Sequence, residues 1–180
     1  SHTIEAEDAL HRAVQASRLQ LVIQAQEPGA AGMVAFSPDG EQLVTAASDE
    51  TVKIWNAAKG SQELKLDGHF AAWSPQGKQL AIVSADGTVR MYDPVTGKQI
   101  PLAGQIDAKL SVAFSPDGRR LLTVAYGNLP KAWDPKTGNE LTAFPGHTDF
   151  VSNAVFSPEG TRILTASDDG TARVWDAGSG

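Results

Sequence analysis

A pair of short motifs, each repeated four times, constrains the fold of this chain more than any other feature of its sequence. The first motif is an apolar pair followed by an aromatic residue and Ser-Pro-x-Gly, and it occurs at residues 34–40, 71–77, 112–118 and 154–160. The second places an aromatic residue before Asn or Asp and occurs at residues 51–56, 88–93, 129–134 and 171–176. The aromatic residues of both motifs recur at the same steps of 37, 41 and 42 residues. The agreement of two independent markers indicates a genuine structural repeat.

Each repeat has the pattern of short antiparallel strands. In the last copy, VSNAVFS alternates into a Ser-Pro-Glu-Gly turn, RILTAS follows, Asp-Asp-Gly turns again, and TARVWD alternates once more. Proline at the second turn position presets φ, and glycine closes the turn at low steric cost. We name these strands a, b and c. A fourth strand, d, is predicted after the first three c strands, at residues 62–67, 98–104 and 139–145.

The order of these strands leaves the last repeat without a d strand of its own. Residues 18–26, RLQLVIQAQ, alternate like the d strands and precede the first a strand, so we expect this segment to complete the last sheet. Residues 3–18 are predicted to form a short α-helix, because small and apolar residues follow a spacing of three and four and the acidic residues come early. The expected organisation is a helical linker at 1–18 and a repeat domain at 19–180.

These motifs resemble the WD-repeat β-propeller family, in which Gly-His precedes a Trp-Asp dipeptide and each repeat forms a four-stranded blade. The resemblance covers residues 19–180 and implies an all-β propeller of four four-stranded blades, with the N-terminal strand closing the last blade. It also implies a hydrogen-bonded tetrad in the fourth blade. Its members are His147, Thr165, Asp169 and Trp175. Because a buried indole and imidazole need hydrogen-bond partners, we expect this tetrad to be structural rather than catalytic.

The other three repeats depart from the tetrad pattern. The residues that stand in place of tetrad members are Glu27 in the first repeat, Ile82 and Tyr92 in the second, and Gln105 and Gly127 in the third. The third repeat also places Pro130 within strand c, where a missing N–H predicts an irregular strand. These blades are therefore expected to depend more on apolar packing.

The loop between strands d and a is five residues shorter in the second repeat than in the fourth. The two segments are LDGHFAAWSPQG, residues 66–77, and FPGHTDFVSNAVFSPEG, residues 144–160. The short copy predicts a lowered rim with a notch at Phe70. The second repeat has neither a Ser/Thr nor a Trp at the corresponding tetrad positions. His69 is therefore interpreted as a remnant of the structural motif.

Four blades raise the question of ring closure, because an open array of sheets leaves two faces and two edges exposed. Rings of the family usually contain more blades than four. Three arrangements remain: two copies form an eight-bladed homodimer, the repeats belong to a longer array, or four blades close alone. The strand order from d to c favours the homodimer.

Composition narrows the classes of function. Fifteen Lys and Arg against 21 Asp and Glu give a net charge of −6, and no basic run exceeds the pair Arg119 and Arg120. This charge argues against a nucleic-acid surface and a membrane anchor. The absence of cysteine excludes disulfides and thiolate metal sites, and none of the four histidines has ligand spacing to another. The sequence predicts a non-catalytic module without metal or cofactor.

The resemblance implies a scaffold or sensor module that binds a protein or peptide partner. Loops between strands d and a and between strands b and c share one rim, where recognition residues are expected. The candidates are Phe70, Tyr126, Asn128, Asp149, Phe150 and Asp168. A structural half-propeller that assembles without ligand is the second class, and a propeller hydrolase is the third.

The leader ALHRAVQASRLQLVIQ resembles the segment before the WD repeats of bacterial STAND-type signalling NTPases. That resemblance implies the C-terminal part of a larger bacterial signalling protein. No phosphate-binding GxxxxGK[ST] motif is present, so nucleotide hydrolysis is not expected here. The N-terminal residues are too polar for a signal peptide, which predicts a cytoplasmic chain.

Overall fold

The computed structural model describes residues 31–108, 111–125 and 129–180. Its regular elements are sixteen β-strands in four antiparallel sheets, which confirms the all-β propeller class. No helix in these ranges is long and apolar enough to cross a membrane. The predicted N-terminal helix at residues 3–18 and the predicted strand at residues 18–26 lie outside the described residues.

The first and third sheets have the predicted a-b-c-d order. The strands of the first sheet are β1 (Ala31–Phe36), β2 (Gln42–Ala47), β3 (Thr51–Asn56) and β4 (Gln62–Asp67). The strands of the third sheet are β10 (Ser111–Phe114), β11 (Leu121–Val124), β12 (Lys131–Trp133) and β13 (Glu140–Ala143). Pro130 lies just outside β12, which is shorter than β3, and its carbonyl accepts a hydrogen bond from the Phe144 N–H at 2.9 Å. The irregularity expected at this proline is therefore a shortened strand.

The second sheet differs from the prediction in its outer strand. Its strands are β5 (Phe70–Trp73), β6 (Leu80–Val83), β7 (Thr88–Tyr92) and β8 (Gln99–Ile100), with β9 (Ile106–Asp107) also paired to β7. The d strand expected over residues 98–104 was predicted too long, because its pairing stops after Ile100 and resumes at Ile106. Pro101 and Gly104 lie in the gap, and proline cannot donate to the ladder.

The fourth sheet contains three described strands, β14 (Val151–Phe156), β15 (Arg162–Ser167) and β16 (Ala172–Asp176). The a strands of all four sheets come together around one cavity of about 380 Å³, which Met33, Phe70, Ser111 and Ser152 help to line. This arrangement places strand a innermost in each sheet.

The hydrophobic core is divided into three layers between consecutive sheets. One layer joins Val44 and Ile54 of the first sheet to Leu80 of the second. The next joins Met91 of the second sheet to Leu121 of the third. The last packs the third sheet against the fourth through residues that include Leu122, Phe144, Ala154 and Ile163. Side-chain alternation along each strand thus gives every sheet two packing faces.

Candidate functional site

The four residues of the fourth-sheet tetrad form one continuous chain of hydrogen bonds. The Trp175 indole Nε1–H donates to Thr165 Oγ1 at 2.9 Å. Thr165 Oγ1 lies 2.7 Å from His147 Nε2, and His147 Nδ1 lies 2.7 Å from Asp169 Oδ2. Since a carboxylate only accepts, the imidazole proton resides on Nδ1, and Nε2 accepts from the threonine hydroxyl. Each of the four tetrad side chains therefore has a hydrogen-bond partner within the tetrad.

The Asp169 carboxylate lies at the end of this chain and is held in its charged form. The Thr171 hydroxyl at 2.6 Å lowers the pKa of Asp169 most, and His147 and backbone N–H groups of Thr148 and Thr171 lower it further, against the opposing effect of burial. Together they hold the pKa of Asp169 well below its ordinary value. A fixed carboxylate in turn fixes the His147 tautomer.

The tetrad contains a hydroxyl, an imidazole and a carboxylate in the order of a nucleophilic triad, but its burial excludes that role. Thr165 is 0 % exposed and His147 is 2 % exposed. The Thr165 oxygen already accepts the Trp175 indole proton, and the Trp175 ring packs edge-on against His147, with centroids 5.9 Å apart. A substrate carbonyl cannot approach a hydroxyl enclosed in this way. The arrangement ties the loop before strand a to strands b and c.

Sheets one and three retain part of this hydrogen-bonding arrangement. Trp55 donates to Thr45 at 3.0 Å, and Trp133 donates to Thr123 at 2.8 Å. In the third sheet the Thr123 hydroxyl donates to the Asp107 carbonyl at 2.7 Å, so a backbone oxygen takes the place of the histidine nitrogen. The sequence does not reveal this substitution, because any residue supplies a carbonyl.

The second sheet has Ile82 and Tyr92 in place of the threonine and tryptophan of this arrangement, and these residues pack in an apolar core layer. Ile82 is fully buried at the threonine position, and Tyr92 packs against the same core layer. His69 lies with its ring edge-on to Phe70, with centroids 5.5 Å apart. His69 thus keeps the position of the family histidine without the threonine and tryptophan beside it.

The shortened loop before the second sheet contains only two residues, Gly68 and His69, between β4 and β5. Seven residues separate β13 from β14 at the corresponding place in the fourth sheet. A Cβ on Gly68 would lie 2.3 Å from a methyl carbon of Ile82 and 2.7 Å from the Val83 carbonyl oxygen, at a φ of +152°. Only glycine fits this short connection without displacement.

A groove of about 390 Å³ opens on the rim beside Gly68. The b–c turns of the first and second sheets form its two sides, and β4 ends between them. Its charged lining residues are Asp49, Glu50, Lys65, Asp67, Asp86 and Arg90. The sequence predicted a notch at Phe70, whereas the groove lies at Gly68 and Phe70 lines the inner cavity instead.

Two of the groove carboxylates occupy turns that repeat the chemistry of Asp169. Asp49 accepts the Thr51 hydroxyl at 2.7 Å, and Asp86 accepts the Thr88 hydroxyl at 2.7 Å. These threonine hydrogen bonds are the largest cause of a lowered pKa at both aspartates. Both carboxylates therefore stay charged at neutral pH and point their charge toward the rim.

Of the four predicted rim residues that the structure describes, three lie close together at the fourth sheet, and Phe70 lies in the second sheet. Asp149 and Asp168 are exposed, and the partly buried Phe150 accepts the Asp168 N–H through its carbonyl at 2.8 Å. Phe70 packs against the core layer between the second and third sheets. Tyr126 and Asn128 lie outside the described residues. That these residues contact a partner stays a prediction.

The groove residues Glu50, Lys65 and Asp67 were missed at the sequence level. The shortened loop was the available signal, since removing five residues from one rim loop must uncover its neighbours. In the described ranges, no group of three or more His, Asp or Glu residues is arranged to hold a metal ion.

Comparison with known proteins identifies the repeats. The family model described as "WD domain, G-beta repeat" matches residues 31–56, 60–93 and 138–176, which is more than half of the chain. The unmatched stretch contains the third sheet's departures, including Gln105 and Pro130. A search of curated proteins finds no match. WD repeats are in general non-catalytic and mediate protein–protein interactions. The repeated sheets, the tetrad and the matching family model together show that this chain belongs to the WD-repeat family.

Proposed function

We propose that this chain is a non-catalytic scaffold or sensor module that binds a protein or peptide partner at the rim formed by the d–a and b–c loops. The groove beside Gly68 is the observation that carries this proposal. It is concave, lies between two ordered turns, and exists because one rim loop is short. A rigid scaffold that presents a cleft between loops is a common way to position a recognition site.

The charge of the groove favours a basic partner segment. Its four carboxylates outnumber the two cations Lys65 and Arg90. Arg90 is already engaged by Asp86, with which it forms an ion pair. The negative excess has the same sign as the net charge of the chain, so it would speed the approach of a cationic peptide and orient it.

The test combines neutralising variants with affinity capture and a peptide array. Asp67→Asn and Glu50→Gln remove groove charge, while Glu41→Gln removes an exposed charge at an a–b turn and is the matched control. The proposal expects capture of a partner or a basic peptide by the wild type and the control, and weaker capture by both groove variants. Binding that is equal in all four proteins would place the partner site elsewhere.

The wider setting is also a proposal and is supported by the leader sequence alone. We place the chain at the C-terminal end of a bacterial signalling protein that works in the cytoplasm. Fractionation of the source cells with an antibody to the repeats measures both the compartment and the size of the parent protein. Recovery in a membrane or secreted fraction would contradict the proposed location.

Self-assembly is the second candidate function, and uncovered apolar side chains at both ends of the sheet array favour it. Leu164 and Val174 of the fourth sheet and Val34 and Phe36 of the first sheet are all exposed. Two copies that complete an eight-bladed ring, or further repeats in a longer array, would cover them. Light scattering separates an assembly from a monomer of 19.0 kDa.

A further inference from the structure

Consecutive sheets pack on each other in the same orientation at every interface. The face that carries Val44 and Ile54 in the first sheet packs on the face that carries Leu80 in the second. Each later interface repeats this orientation. Among the described residues, no sheet covers the face of the fourth sheet that corresponds to the Val44 and Ile54 face, or the face of the first sheet that corresponds to the Leu80 face.

The uncovered face of the fourth sheet, which we call the tail face, has the composition of an internal interface. Leu164 pairs with Val155 on one side and with Val174 on the other, so the three side chains form one apolar row across the sheet. Leu164 is 46 % exposed and Val174 is 63 % exposed. The residues at the same register positions in the other sheets, all at most 1 % exposed, are Val44, Ala81, Leu122, Ile54, Met91 and Ala132.

The uncovered face of the first sheet, which we call the head face, shows the same contrast. Val34 is 69 % exposed and Phe36 is 66 % exposed. Ala71 and Ala154, which occupy the register position of Val34 in the second and fourth sheets, are at most 3 % exposed. Two apolar surfaces of complementary kind thus lie at opposite ends of one chain.

We propose that the tail face of one copy packs on the head face of a second copy, and that the reciprocal contact closes a ring of two copies. This inference rests on the assembly proposed above and does not depend on the rim. At each internal interface, a face equivalent to the tail face packs on a face equivalent to the head face of the next sheet. A second copy of the chain is the favoured occupant because it presents such a head face. A head-to-tail contact that closes at two copies covers both faces of both chains.

Charged substitutions on the two faces test this contact. The wild-type chain is expected to show twice its 19.0 kDa mass by size-exclusion chromatography with light scattering at micromolar concentration. Leu164→Glu and Phe36→Glu should each raise the dimer dissociation constant about 100-fold or more, because each buries an unpaired charge in the contact. Val95→Glu is the matched control, since Val95 is an exposed apolar residue in the turn after β7 and lies on neither face. Circular dichroism checks that each variant is folded, and Val174→Glu replaces Leu164→Glu if the latter is not.

A mixture of the two variants distinguishes a head-to-tail contact from a symmetric one. Each variant alone is expected to be monomeric, whereas an equal mixture should recover dimers, because one of the two contacts then joins two unaltered faces. A wild-type monomer, a Phe36→Glu variant that still forms dimers, or assemblies that grow beyond two copies would each overturn the proposal. The rim variant Asp67→Asn should keep the dimer, so loss of partner binding and loss of assembly are measured separately.

Discussion

Replacement of Thr165 by valine tests whether the tetrad stabilises the fourth sheet through hydrogen bonds. Valine preserves the shape of the fully buried threonine side chain and removes only the hydroxyl. That oxygen accepts from the Trp175 indole at 2.9 Å and lies 2.7 Å from His147 Nε2. The variant therefore leaves the indole N–H of the partly buried Trp175 and an imidazole nitrogen of the buried His147 without the hydrogen-bond partner that they share.

The expected cost follows from the number of polar groups left unpaired. A buried polar group without a partner costs about 1–3 kcal/mol, so the two groups left by Thr165→Val should lower the free energy of unfolding by about 2–6 kcal/mol. Thr45→Val is the matched control in the first sheet, where the described hydroxyl contact is the Trp55 indole alone, and its cost should be about 1–3 kcal/mol. Thr165→Ser keeps the hydroxyl and should cost less than about 1.5 kcal/mol.

Urea denaturation followed by circular dichroism measures these differences, with the transition slope checked for cooperativity in each variant. Trp175→Phe and the Thr165→Val/Trp175→Phe double variant complete a double-mutant cycle. The double variant should cost less than the sum of the single variants, because it removes the unpaired indole together with its acceptor. Equal costs for Thr165→Val and Thr45→Val, or strictly additive costs in the cycle, would refute the hydrogen-bonding account.

Three further predictions concern single positions. Gly68→Ala should lower the free energy of unfolding by about 2–4 kcal/mol in the same urea assay, because the added Cβ would lie 2.7 Å from the Val83 carbonyl oxygen. An unchanged midpoint of the urea transition would show that the short loop can shift to make room for the methyl group. Trp73→Phe should change the free energy of unfolding by less than about 1 kcal/mol, since it removes a buried indole N–H that has no hydrogen-bond partner. Phenylalanine holds this position in the other three sheets. A large loss of stability would show that the apolar area of the indole ring outweighs its unpaired N–H. Asp169→Asn should lower the melting temperature at pH 7, and the difference from wild type should persist down to pH 3.8, the ordinary pKa of the carboxyl. Below that pH the difference in melting temperature should shrink. A carboxyl whose pKa is lowered in the folded state stabilises the fold above its unfolded-state pKa and loses this effect as the pH falls through its folded-state pKa. A difference that stays constant below pH 3.8 would contradict the role assigned to the Thr171 hydrogen bond.

The sheets themselves could largely be predicted from the sequence. The d strand predicted at residues 62–67 is found as Gln62–Asp67, and the Ser-Pro-x-Gly turns separate strands a and b in all four sheets. Such features depend on neighbouring residues, through alternation, proline and glycine. The interruption of the d strand after Ile100 could not be predicted in this way. β8 pairs with one end of β7 and β9 pairs with the other end, and this pairing depends on which backbone groups of β7 are available.

The candidate site was less predictable. The resemblance of the Gly-His and Trp-Asp motifs to the WD-repeat family was enough to name all four tetrad residues. The Asp107 carbonyl that serves Thr123 carries no such signature. The sequence predicts a notch at Phe70, whereas the groove opens at Gly68, because a deletion reveals that a loop is short but not which side chains turn inward.

The sequence by itself determined the repeat and the all-β class, which follow from local spacing, and its resemblance to the WD-repeat family named the tetrad residues of the fourth sheet. Only the tertiary structure decided which faces are covered. Leu164 and Leu122 occupy the same register position in similar strands, yet one is exposed and the other is buried. The difference arises because burial depends on whether another sheet lies opposite, and the sheet that covers Leu122 is distant from it in sequence.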